Sequence, residues 1–142
     1  MARFGANLPC PCHSGQKYKR CCLPYHRGRR AAAPQTLMRA RYTAYALGLI
    51  DFVIDTTDSE GPMWQSDDVR WREEIRSFSE STQFSGLNIK AVENGDGVAW
   101  VTFDAKLIQE STEHLMVERS RFRVVESQWL YVGADDLSFE RE

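Results

Sequence analysis

From residue 34 onward the apolar positions fall first at helical and then at alternating spacing. Leu37, Met38, Arg41, Tyr42, Tyr45, Ala46 and Leu49 recur every three or four residues, which predicts an amphipathic helix opening at Pro34 and ending near Gly48. A second helical piece follows, with Leu49, Phe52, Val53 and Thr56 on one face, until Ser59-Glu60-Gly61-Pro62 breaks it. Asp67 or Asp68 then caps a third helix, in which Trp71, Ile75 and Phe78 share a side. After Ser81 the period becomes alternating and turn residues appear at short intervals. Strands are expected near Gln83 to Val92, Val98 to Ile108, His114 to Val125 and Gln128 to Val132. Asn94-Gly95-Asp96-Gly97 makes the first hairpin turn and Glu126-Ser127 the last. Helices followed by an antiparallel meander, with no βαβ alternation, predict an α+β domain whose helices cover one face of the sheet.

The first 33 residues have neither period. They carry three prolines, three glycines and all four cysteines, and they cannot bury a core alone. The basic run Arg27-Gly28-Arg29-Arg30-Ala31-Ala32-Ala33 reads as a linker, so the chain divides into residues 1–33 and residues 34–142. Charge divides the same way. The first 41 residues hold nine Lys or Arg and no acid, whereas the remaining 101 carry nine basic and all twenty acidic side chains, a formal charge of −11. The overall 42% apolar content is that of a globular protein. No stretch approaches the roughly 20 apolar residues of a membrane span and no secretory leader is evident, so a cytoplasmic location is expected.

In a reducing compartment, four cysteines within thirteen positions read as metal ligands rather than as disulfides. Cys10-Pro-Cys12 and Cys21-Cys22 supply the four thiolates that close a tetrahedral zinc site, and such a closed shell is structural, not catalytic. One zinc per chain is expected, with Ser14-Gly15 permitting the reversal between the two pairs. Zinc binding to short cysteine-rich peptides is worth about 10–16 kcal/mol, so folding of this segment should require the ion. The alternatives are four independent thiols or a vicinal disulfide between Cys21 and Cys22. His13 and His26, each within four residues of a cysteine, are competing ligands that four thiolates make unnecessary.

The run Cys10-Pro-Cys-His-Ser-Gly-Gln-Lys-Tyr-Lys-Arg-Cys-Cys22 resembles the zinc-binding SEC-C motif found at the C-terminus of the preprotein translocase ATPase SecA. Cys22-Leu-Pro-Tyr-His26, Leu37-Met-Arg-Ala-Arg-Tyr-Thr-Ala-Tyr-Ala-Leu-Gly48, Glu118-Arg-Ser-Arg-Phe122 and Trp129-Leu-Tyr131 extend the likeness, and over nearly its whole length the chain resembles the YchJ family. That resemblance implies zinc ligation by Cys10, Cys12, Cys21 and Cys22. For residues 34–142 it implies a cone-shaped nuclear-transport-factor-2-like domain. His13 stands where the motif usually has Gly, and no second SEC-C motif closes the chain.

Lys17, Lys19, Arg20, Arg27, Arg29 and Arg30, close to Tyr18 and Tyr25, could contact phosphates and stack on bases, or dock on an acidic protein. The SEC-C resemblance favours a protein partner, with ribosome or RNA the other candidate. Nuclear-transport-factor-2-like domains often use the concave side of the sheet as a pocket. Here Glu118, Ser120 and Phe122 alternate onto one strand face, and Arg39, Arg41, Tyr42 and Tyr45 of the first helix are placed to meet it. A buried pair between Glu118 and one of these arginines is expected, and a small-molecule ligand or substrate is the alternative use of the chain. Trp64, Trp71, Trp100 and Trp129 are read as core or pocket lining. Homodimerisation through the outer face of the sheet is a further candidate. No phosphate-binding loop, nucleophile elbow or metal-binding histidine pair is present, and no catalytic residue is assigned.

Overall fold

The computed structural model describes residues 4–141; residues 1–3, the start of the basic segment, and residue 142 lie outside it. Four helices pack on a four-stranded antiparallel sheet of order β1-β2-β3-β4, an α+β arrangement as the periodicity predicts. The helices are α1 (Leu23–His26), α2 (Pro34–Leu47), α3 (Ile50–Asp55) and α4 (Asp68–Ser81); the strands are β1 (Thr82–Asn94), β2 (Val98–Gln109), β3 (Thr112–Val125) and β4 (Gln128–Arg141). Pro34 opens α2, and Gly48 closes it at φ 72°, a left-handed conformation glycine adopts without a Cβ penalty. Asp67 caps α4, its side chain accepting a hydrogen bond from the Arg70 amide at 3.1 Å.

The sheet is curved by irregularities. Register shifts between Phe84 and Gly86 and between Ile89 and Ala91 leave extra residues in β1, and two more in β4 leave Val132 and Asp135 without a partner in β3. The last strand runs nine residues beyond its expected end at Val132. Asp135-Asp136 interrupts the apolar alternation that defines a strand in sequence, but Asp135 takes a bidentate bond from Arg121 at 2.6 and 3.0 Å and the indole N–H of Trp100 at 2.8 Å. Trp100 therefore sits on the outer face of the sheet beneath the Arg119 guanidinium, not in the core.

The cysteine segment is not a satellite. Cys10, Cys12, Tyr18 and Cys22 belong to the same buried cluster as Leu37, Met38 and Tyr42 of α2 and Val101, Phe103 and Phe122 of the sheet. Its chain reverses as a small knuckle, with Cys10 N bonded to Gln16 O at 2.8 Å and Tyr18 N to Leu8 O at 2.9 Å, and a single 3-10 turn at Tyr18–Arg20 and then α1 carry it onto α2. No helix among the described residues is long and apolar enough to cross a membrane.

Candidate functional site

The four cysteine sulfurs converge, all lying within 4.8 Å of one another. Cys12 Sγ to Cys21 Sγ is 3.4 Å and Cys21 Sγ to Cys22 Sγ is 4.0 Å. Tetrahedral zinc with bonds near 2.3 Å sets its sulfurs about 3.8 Å apart, so the cluster has the donors and spacing of a four-thiolate metal site. The sulfurs stand well beyond the roughly 2.05 Å of a disulfide, and their convergence in one cluster departs from four unrelated thiols. Two left-handed residues, His13 at φ 62° and Gly15 at φ 86°, turn the chain between the pairs. His13 tolerates the strained conformation with its ring directed away from the sulfurs, Nε2 lying 2.9 Å from Phe84 O in β1.

Each sulfur has a polar neighbour outside the quartet. Thr43 Oγ1 on α2, completely buried, lies 3.3 Å from Cys22 Sγ and 3.7 Å from Cys10 Sγ. Ser14 Oγ is 3.1 Å from Cys21 Sγ, and Arg39 Nη1 donates to Cys12 O at 3.1 Å with Cys12 Sγ at 3.8 Å. Such partners orient and stabilise metal-bound thiolates. Among the thiols themselves, bonds from Cys10 and then Cys22 hold Cys12 far below its usual range. Bonding within the cluster, with Cys10 first, pushes Cys22 far up, and burial raises Cys21 to about 11. Thiols that share hydrogen bonds in this way compete for their protons, and a cation placed among them would favour their ionised forms. His26 is not a ligand: Nε2 donates to Ala40 O at 2.8 Å, Nδ1 accepts from Tyr18 OH at 2.6 Å, and burial lowers its pKa.

On the adjoining face of α2 opens a cavity of about 350 Å³ between the helices and the concave face of the sheet. Of the six predicted lining residues, Arg41, Tyr42, Tyr45, Glu118 and Ser120 border it; Arg39 does not, because it lies on the cysteine side of the helix. The expected pair between Glu118 and an arginine is not formed. Glu118 accepts instead from Ser120 Oγ and from Tyr131 OH, the latter at 3.0 Å. Arg41 reaches past it, its Nη1 donating to Val53 O at 2.9 Å and to the hydroxyls of Thr56 and Thr57 at 2.8 and 3.2 Å, while its guanidinium lies 4.4 Å from the centre of the Tyr131 ring. Burial, followed by the nearby Glu118 charge, raises the Tyr131 phenol far above its usual range, so it remains a donor. Trp71 borders the cavity and Trp64 packs edge-on against it at 5.0 Å.

Comparison with known proteins bears on both halves of this arrangement. Residues 7–24 match the SEC-C motif, and residues 33–134 match the family described as YchJ, middle NTF2-like domain. The chain belongs to the YchJ family. A UPF0225 protein of Deinococcus radiodurans is 37% identical over 128 residues, 89% of this chain and 88% of its own length. A solved structure of RPA3114, a SEC-C motif containing protein from Rhodopseudomonas palustris, is similar at a TM-score of 0.76 and 30% identity, covering 92% of this chain and 100% of that one. A sec-c motif containing protein from Psychrobacter arcticus shares the fold at a TM-score of 0.73 and 22% identity, covering 95% and 85% of the two chains.

In this YchJ-family chain the basic residues of the SEC-C region are all exposed: Lys17, Lys19, Arg20, Arg27, Arg29 and Arg30. The tyrosines beside them are not free to stack on a base. Tyr18 is buried against Phe4 and His26, and Tyr25 is half-buried beneath Arg29. Sequence reasoning missed Thr43, Ser14 and the true side of Arg39, and the signal was present only as a second, polar stripe on α2 (Arg39, Thr43) beside the apolar one.

Proposed function

We propose that the chain is a zinc-stapled recognition protein of the cytoplasm, whose basic SEC-C face docks on an acidic protein surface. Four converging sulfurs are a donor set that suits zinc, and cysteines clustered as ligands are usual in a reducing compartment. The observation that carries the docking is the contrast in ion pairing. Among the described residues, none of the six exposed cations of the N-terminal segment has a carboxylate within ion-pair distance. In the later part Arg70, Arg72, Arg76, Lys90, Arg119, Arg121 and Arg123 are paired, and Lys106 is the exposed cation there that has no ion pair among the described residues. Unpaired cations held on a rigid, metal-braced knuckle form a potential complementary to carboxylates and lose little entropy when they engage. Burial of Tyr18 and covering of Tyr25 remove the stacking platform that single-stranded RNA uses, which favours protein over nucleic acid.

The test measures binding of the zinc-loaded chain to a glutamate-rich peptide and to polyuridylate, at several salt concentrations. Binding to the peptide, weakened by salt and by Lys19→Glu with Arg20→Glu but not by Arg70→Glu on α4, supports the reading. Tighter binding to polyuridylate would redirect it to RNA, and binding to neither would end it.

A further inference from the structure

None of the six basic residues of the SEC-C region lines the cavity between the helices and the sheet. Its walls are aromatic and aliphatic, from Tyr45 and Phe78 on the helices to Phe103 and Leu107 on the sheet, and its volume of about 350 Å³ falls within the roughly 300–1,000 Å³ of small-molecule pockets. Its polar lining includes Gln65 and Glu74, bonded to each other at 3.0 Å, and Arg41, Glu118 and Ser120, and the hydrogen bonds of Glu118 and Arg41 are incomplete. Both donors that reach Glu118, from Ser120 and Tyr131, bond the same oxygen, Oε2; no described residue donates to Oε1. Arg41 uses only Nη1 for its three acceptors, leaving Nε and Nη2 without a protein partner. Both residues border the cavity and are more than nine-tenths buried overall. Their free atoms are not among the fully buried unpartnered ones, of which the described residues show only Gln35 Oε1, so they keep contact with open space and are available to an occupant. Buried polar groups are bonded as a rule, and a ligand group is one way to complete them.

We infer that this cavity binds a small, largely cyclic apolar molecule with one uncharged polar head, which donates a hydrogen bond to Glu118 Oε1 and accepts one from Arg41. The head is uncharged because the charges around the cavity are already matched, Glu74 of the lining being paired with Arg70 at 3.2 Å. Glu118 and Arg41 flank Tyr131, one on its hydroxyl and the other over its ring, and their formal charges cancel. A further full charge brought into this enclosure loses its hydration without a free counter-charge to restore it. A carboxamide, a lactam or a hydroxy ketone on a ring has the matching donor and acceptor; a bare carboxylate or ammonium satisfies only one side.

The experiment titrates three probes of one shape, phenylacetamide, phenylacetate and benzylammonium, into the isotopically labelled, metal-loaded full chain, with binding followed by amide chemical shifts. The expected result is a preference for phenylacetamide of about tenfold or more over both ions, with the shifts centred on Tyr131, Glu118 and Ser120. Glu118→Gln should weaken phenylacetamide by about 10- to 100-fold, because its amide nitrogen takes the place of Oε1 and opposes the ligand donor. Ala105→Leu fills the chamber from a wall with no polar group and should abolish the shifts, which keeps the test decisive if the Glu118 variant folds poorly. Equal or tighter binding of either ion overturns the uncharged head. Absence of binding by all three at millimolar concentration, or shifts lying only on the basic face, overturns the site.

Discussion

Replacing Thr43 by Val changes one buried hydroxyl into a methyl group of the same shape, next to two of the four sulfurs. Thr43 Oγ1 stands 3.3 Å from Cys22 Sγ and 3.7 Å from Cys10 Sγ, and the residue is 0% exposed, so no water can take over its role. Loss of a group that bonds a metal-held ligand typically costs 10- to 100-fold in metal affinity, which is about 1.4–2.8 kcal/mol. Set against the roughly 10–16 kcal/mol of a structural zinc site, the variant should still bind one ion per chain and differ only in how firmly it holds it. Stoichiometry is therefore the wrong assay. Competition against a chromophoric chelator reads the dissociation constant directly, and melting curves with and without zinc show where the loss falls. The expected outcome is a dissociation constant raised 10- to 100-fold and a smaller zinc-induced rise in melting temperature, with the metal-free form melting where the unaltered metal-free protein does. Unchanged zinc affinity, with both forms destabilised equally, would show that Thr43 only packs, and the account of the sulfurs' neighbours would be wrong.

Asp58, 3% exposed, accepts a bidentate bond from Arg123 at 2.6 and 2.8 Å, and Asp58→Asn should cost about 1.5–3 kcal/mol in urea unfolding at neutral pH. The Arg123 guanidinium holds the Asp58 carboxyl below its usual 3.8, so the folded state binds that proton more weakly than the unfolded chain. This stabilisation is complete above the ordinary carboxylate range and fades as pH falls through the lowered value, and the asparagine variant should lack that part of the acid dependence. Gly48→Ala places a Cβ at φ 72° and should destabilise α2 by about 1–2 kcal/mol, visible as a lower urea midpoint at unchanged slope. Ser127→Gly relieves a left-handed residue at φ 66° in the β3–β4 turn and should stabilise by about 0.5–1 kcal/mol once the greater entropy of the unfolded glycine is set against the relief; a lower midpoint would refute the strain argument.

The parts of the molecule that sequence revealed are those governed by local repetition. The apolar stripes of α2 and α4 and the alternation along β2 and β3 identify their elements because each residue's neighbours in space are also near in sequence. The cysteine site was legible for the same reason, all four ligands lying between residues 10 and 22. What stayed hidden depends on distant partners. The far half of β4 is held by Asp135 pairing with arginines of β3, and its two acids look like a turn until that pairing is known. Glu118 lines the cavity, but its partner is Tyr131, brought opposite Phe122 by a register shift at Val132 that no periodicity encodes. Arg39 reads from its helical spacing as a pocket residue facing Glu118, and only the folded knuckle shows that it and Thr43 lie against the cysteine cluster instead.

Helix α2 is a party wall. Met38, Arg41, Tyr42 and Tyr45 furnish one room, while Arg39 and Thr43 furnish the next. A rigid rod of fourteen residues cannot shift for one tenant without being felt by the other. Linkage makes that influence mutual: whatever factor the ion contributes to occupancy of the cone, an occupant of the cone returns to the ion. With an ion at the cysteines and a ligand in the cavity, metal supply and ligand supply would become two inputs to one equilibrium, and any coupling between them could be read from either side.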